Sequence, residues 1–209
     1  AKTSFSRAAE LFESIGNAGE GLFARLNLAL VAEEQGHFGE AEERAALVGA
    51  DAKRLNRKFP MAAAMAVEGS AQAHQGRTGE GLKRIAEAIE VADEIKHKIL
   101  RAVIRQLEGP LRCVLGQFEE ARAEATALAE FGESAGAPEF VQRAALLHAE
   151  AALETGDLEG AILHLEPMLH VPNAAVRLRA QLLRAETARR AGDEATAYQA
   201  LHVARSLIP

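Results

Sequence analysis

The chain has 209 residues, 24 Lys and Arg against 30 Asp and Glu, a formal charge of −6, and only 4% aromatic residues with no Trp. So few β-branched and aromatic side chains argue against a sheet protein, and a modestly acidic chain without an aromatic-and-basic platform argues against nucleic-acid binding. The lone cysteine, Cys113, excludes an internal disulfide, and the longest apolar run, Met61 to Val67, falls far short of the roughly 20 residues that a membrane helix needs.

The periodicity predicts eleven helices, near residues 3–15, 19–35, 38–57, 60–75, 78–96, 98–115, 118–135, 138–155, 158–170, 173–191 and 194–207. The first stands alone and carries Leu11, Phe12 and Ile15. In the second, Leu22, Leu26 and Ala29 form one stripe. In the third and just beyond it, Phe38, Ala41, Ala45, Val48, Ala52, Leu55 and Phe59 step by three or four, the spacing of one helix face. Leu82, Ile85, Ile89, Ala92, Ile95 and Ile99 repeat the pattern in the fifth helix and beyond, and Phe118, Ala121, Ala125, Leu128 and Ala135 repeat it in the seventh. Pro60, Pro138 and Pro172 mark helix starts, where a missing N–H costs least. Pro110 and Pro167 fall inside predicted helices and should kink or break them.

Between the helices runs a regular punctuation. Gly36, Gly76, Gly116 and Gly156 are evenly spaced, and Gly192 follows slightly early. Each opens a short turn with Glu just beyond it in most copies, as in Gly36-His37-Phe38-Gly39-Glu40-Ala41 and Gly116-Gln117-Phe118-Glu119-Glu120-Ala121. Glycine ends a helix in the left-handed conformation without steric cost, and Glu then meets the positive end of the next helix dipole. A fixed period of about 40 residues signals stacked repeats. The expected architecture is all-α, a single array over residues 1–209. Residues 1–18 are the second helix of a truncated repeat, and five repeats follow at 19–58, 59–98, 99–137, 138–172 and 173–209. The missing initiator Met and the lone first helix suggest a piece of a longer array.

Two series of small residues accompany the turns. Ala29, Gly69, Gly109, Ala149 and Ala185 lie midway along the first helix of each pair, and Ala41, Gly81, Ala121, Ala161 and Ala197 lie early in the second. With the turns, and with Pro209 in the place of a closing proline, they resemble the tetratricopeptide repeat (TPR). The resemblance covers nearly the whole chain and implies a right-handed superhelical solenoid of antiparallel helix pairs. The repeat here is longer than the family's usual length of about 34 residues. It resembles the arrays of bacterial signal-transduction ATPases and maltose-regulator-like transcription activators, notably in Ala8-Ala9-Glu10-Leu11-Phe12-Glu13-Ser14-Ile15-Gly16-Asn17 running on into Leu26-Asn27-Leu28-Ala29.

In that family the first helices of the pairs line a concave surface. The resemblance therefore implies a partner-binding face made by Leu26, Asn27, Leu30 and Glu34; by Ala66, Ser70 and His74; by Gln106, Pro110 and Cys113; by Arg143, Leu146, Leu147 and Glu150; and by Arg179, Leu182, Leu183, Glu186 and Arg190. Such a mixture suits an extended peptide or a helix, with apolar pockets for area and Asn, Gln or Arg for orientation. The Lys/Asn clamp of members that bind chaperone tails is not matched; only Asn27 has a comparable place.

No phosphate loop, nucleophile elbow or zinc-ligand pair is present, so neither an enzyme nor a cofactor or metal is expected. Cys113 reads as a half-buried structural thiol. Charge is uneven: residues 139–172 hold one Arg against six acids, and 173–209 hold six Arg against three. The leading expectation is a protein- or peptide-binding scaffold or sensor module of a larger bacterial signalling or regulatory protein. Alternatives are a small-ligand-sensing regulatory domain of a transcription activator and a self-assembly module using the lone first helix. One cysteine fits a reducing compartment and no signal-peptide pattern is visible, so a cytoplasmic location is expected.

Overall fold

A computed structural model describes residues 2–208. Among them are eleven α-helices and no strand. They are α1 (Lys2–Ser14), α2 (Ala18–Glu34), α3 (Phe38–Arg54), α4 (Lys58–His74), α5 (Thr78–Glu94), α6 (Lys98–Val114), α7 (Phe118–Ala135), α8 (Pro138–Glu154), α9 (Leu158–Leu165), α10 (Ala174–Arg190) and α11 (Glu194–Ser206). A 3-10 segment, Glu166–His170, follows α9. The chain divides within α6 into two compact units, Ala1–Leu111 and Arg112–Pro209.

The helices keep a beat of half the glycine spacing. Helices α2 to α9 begin at Ala18, Phe38, Lys58, Thr78, Lys98, Phe118, Pro138 and Leu158, at equal steps. The turns of this series close alike, and all but the α7–α8 turn open alike. In the first full turn the Gly36 N–H donates to the Glu33 carbonyl and the His37 N–H to the Ala32 carbonyl, the paired bonds of a Schellman motif. The His37 carbonyl in turn accepts from the Ala41 N–H and opens α3. One residue thus closes one helix and starts the next. The same bonds recur around Asn56 and Lys96, which take φ of 51° and 54°.

Each core fills the angle between three helices. In the first unit Leu22, Leu26 and Ala29 of α2 meet Ala45, Val48 and Ala52 of α3 and Ala64 and Val67 of α4. Next, Met65 and Ala66 of α4 pack with Ile85 and Ala88 of α5 and Leu100 and Ile104 of α6. In the second unit α8, α9, the 3-10 segment and α10 share a core around Leu153, Leu165, Met168 and Leu183. Burying such side chains is worth about 1.5–3 kcal/mol each for the larger ones.

The small residues let helices approach. Ala29, Ala41, Ala149 and Ala161 are at most 1% exposed. Between α4 and α5 the approach is backbone to backbone: a Cβ on Gly69 would lie 2.6 Å from the Gly81 carbonyl oxygen.

The two interior prolines behave differently. Pro167 ends α9 at Leu165 and turns the chain into the 3-10 segment, as the sequence predicts. Pro110 does not break α6, which runs through it to Val114. A proline forfeits one backbone bond, and the surrounding helix holds without it.

Candidate functional site

In the first unit α2 and α4 lie side by side, and the side chains expected at a partner-binding face divide between core and surface. Leu26 is 7% exposed and belongs to the core, and Ser70 is 3% exposed. Neither presents a surface. Leu30 packs partly buried against the same core. Asn27 is half-buried and its Nδ2 donates to the Phe23 carbonyl at 2.8 Å. His74 is exposed; its Nδ1 lies 2.9 Å from the Ser70 carbonyl and its ring stacks on Phe38 at 4.5 Å. On α6, Gln106 is half-buried.

Glu33, which the sequence reads with Glu34 as a solvated face, joins this group. Burial lifts the Glu33 carboxyl above its ordinary range, while a hydrogen bond with Ser70 and the neighbouring His74 pull the other way. Glu33 and His74 thus meet across α2 and α4, one residue along from the expected Glu34.

In the second unit α8 and α10 are neighbours, and here the expected charged residues are drawn together. Arg179 Nε donates to Glu150 Oε1 at 2.8 Å. Arg190 binds Glu186 and Glu154, each at 2.8 Å, and also the Leu153 carbonyl. Arg189 adds two bonds to Glu186. The two arginines hold the Glu186 carboxyl down to about 2. Leu146 is 9% exposed and sits in the core. Leu182 stays 41% exposed. Arg143 is exposed and makes no ion pair with a described residue.

The face is therefore a ladder of paired charges with one apolar group and one unpaired guanidinium beside it. Glu154 and Arg189 were missed because they adjoin the stripe rather than lie on it; both follow from extending the α8 and α10 faces by one turn.

Cys113 lies nearby in the second unit. Burial, with Glu150 and Glu154 adding to it, pushes its thiol up to about 11 against the opposing Arg122. Among the described residues no cluster of three or more His, Cys, Asp or Glu could hold a metal ion, and no helix is long and apolar enough to cross a membrane.

Solved structures share this fold. BtubC (BKLC) from P. vanneervenii matches with a TM-score of 0.76 at 16% identity, over 99% of this chain and 89% of that one. The fold is the TPR-like helical repeat. A kinesin-light-chain-like array of nearly identical TPR-like repeats from Podosopora anserina matches with a TM-score of 0.65 at 17% identity, over 89% of this chain and 94% of the other. No protein-family model matches the chain, and no curated protein matches it in sequence. At such low identity the likeness establishes the TPR-like fold alone, and the more specific resemblance to bacterial ATPase and activator arrays stays an expectation.

Proposed function

We propose that the protein is a non-catalytic scaffold that binds a segment of a partner protein on the faces of its first helices. The observation that carries this is the α8–α10 surface. There the Arg179–Glu150 and Arg190–Glu154 pairs tie the two helices together and fix their spacing, while exposed Leu182 and unpaired Arg143 are left for a ligand. An apolar anchor supplies area and a guanidinium orients a carboxylate or carbonyl. Asn27, Leu30, His74 and Gln106 would serve in the same way in the first unit. The setting we infer is a larger bacterial signalling or regulatory protein in the cytoplasm.

The experiment is affinity capture from source lysate with the unaltered chain and with a Leu182→Asp, Arg143→Ala double variant. Both positions are exposed, so the fold should persist. A partner held by the unaltered chain and lost by the variant supports the assignment; a partner held equally by both refutes this face.

Self-association has one observation in its favour: Leu11 on α1 and Ile15 just after its end are 59% and 63% exposed, whereas Phe12 turns toward Gly21 of α2. Sedimentation of the unaltered chain against a Leu11→Glu, Ile15→Glu variant tests it, and a concentration-independent monomer would exclude it.

A further inference from the structure

The first unit carries a cleft of about 450 Å³ that the partner-binding faces do not use. Its size falls within the roughly 300–1,000 Å³ typical of small-molecule sites. Its walls are apolar: Phe23 of α2, Phe59 and Pro60 of α4, and Ile95 at the end of α5. The Phe23 and Phe59 rings lie 5.7 Å apart, and the His97 ring braces Phe59 edge-on at 4.9 Å. Phe23 is 37% exposed, a large aromatic surface left open to water.

Two opposite charges stand at this cleft. Arg57 and Glu20 both line it, and neither makes an ion pair with a described residue. Lys58, also at the rim, is already bonded to Glu94. The Arg57 guanidinium rests on the first turn of α2: a Cβ on Gly19 would lie 2.9 Å from its Nη2. The absence of a side chain at Gly19 therefore makes room for the guanidinium, next in sequence to Glu20. Arg57 is also the residue before α4, whose amino end has no side-chain cap. The Lys58 and Phe59 N–H groups and the helix dipole at that end of α4, on the rim of the same cleft, favour an anion too.

A cation and a carboxylate, neither ion-paired with a described residue, on the rim of one cleft with aromatic walls, match a small zwitterion with an apolar tail. We propose that this cleft binds a free α-amino acid with a large apolar side chain. Its carboxylate meets Arg57 and the amino end of α4, its ammonium meets Glu20, and its side chain lies on Phe23 and Phe59. A residue within a peptide lacks both charged ends, so the cleft selects the free amino acid.

The test is calorimetric titration of the whole chain with L-phenylalanine and L-leucine, followed by nuclear magnetic resonance of the Phe23 and Phe59 rings. Saturable one-to-one binding is expected. N-acetyl-L-phenylalanine and L-phenylalaninamide should each bind at least about tenfold more weakly, the loss that follows from removing a charged hydrogen-bond partner. Arg57→Gln and Glu20→Gln should each weaken binding similarly, and both sites are exposed, so the variants keep the fold. The proposal is overturned if neither amino acid saturates at millimolar concentration, or if Arg57→Gln binds as well as the unaltered chain. It is also overturned if N-acetyl-L-phenylalaninamide binds as well as the free amino acid, because the cleft would then read a side chain in a polypeptide. None of these results bears on the α8–α10 face.

Discussion

Gly69 of α4 and Gly81 of α5 meet backbone to backbone, and a Cβ on either would press into the other's carbonyl oxygen. The contact sets the distance between these helices and so the packing of Ile85 and Met65 beneath it. Gly81→Ala should cost about 2 kcal/mol, since the helices must part. Gly49→Ala should have the opposite sign. A Cβ there would lie 3.9 Å from Ala64 Cβ, an ordinary contact, and alanine in a helix is favoured over glycine by about 0.5–1 kcal/mol. Urea unfolding of both variants decides it; two shifts of equal sign would contradict the close approach.

Lys96 holds a φ of 54°, in the place that Gly36 and Gly76 occupy in other turns. A side chain pays about 1–2 kcal/mol for that conformation, and asparagine pays less. Lys96→Gly should therefore stabilise the chain by about 1 kcal/mol, and Asn56→Gly by less. Thermal unfolding of the two variants beside the unaltered protein measures the difference.

His148 of α8 stacks on His164 of α9 with ring centroids 4.8 Å apart. Burial, then His164, then Arg122 lower its pKa from 6.5. The folded protein therefore binds fewer protons here than the unfolded chain. The stabilising contribution is complete above the unfolded value and is lost as pH falls below it toward the folded one. Stability should decline as pH falls through and below the ordinary histidine value of 6.5, and His148→Gln should flatten that decline. An unchanged slope in the variant would assign the effect elsewhere.

With its thiol pushed up to about 11 from 9.0, Cys113 should be slow to alkylate. Two pH units correspond to about a hundredfold less thiolate at neutral pH. Iodoacetamide labelling should accelerate in denaturant and, in the folded state, only in strong alkali. Labelling at the rate of a free thiol at pH 8 would show the thiol to be open.

The helices and their order were legible because leucine and alanine recur at helical spacing and glycine marks most turns. Two of the intermediate turns were harder to read. Asn56 and Lys96 adopt the glycine's conformation without being glycine, so two beats looked like one. The candidate face was only partly legible. Helix α2 buries Gly21, Leu22, Ala24, Leu26, Leu28, Ala29 and Ala32, nearly all round its axis, because it packs against α1, α3 and α4 at once. In such a helix no apolar stripe separates a groove from a core, and Leu26 and Leu146 fell on the core side. The charge ladder lay beyond reach because it depends on register between helices. Pro110 shows the limit of a local rule: tertiary packing keeps α6 helical where propensity alone would end it.

Because the residue that closes one helix also opens the next, there is no slack between neighbours. Adding or removing one residue would turn everything downstream by about 100° and expose its core face. Length can change only in steps that restore phase. The step from α9 to α10 fits this rule. Helix α10 starts at Ala174, earlier than the even steps from Pro138 to Leu158 would place it, and the shortfall is close to one helical turn of about 3.6 residues. The array resembles a ratchet, open to gain or loss by whole turns or whole hairpins and closed to the single-residue insertions that looser loops absorb.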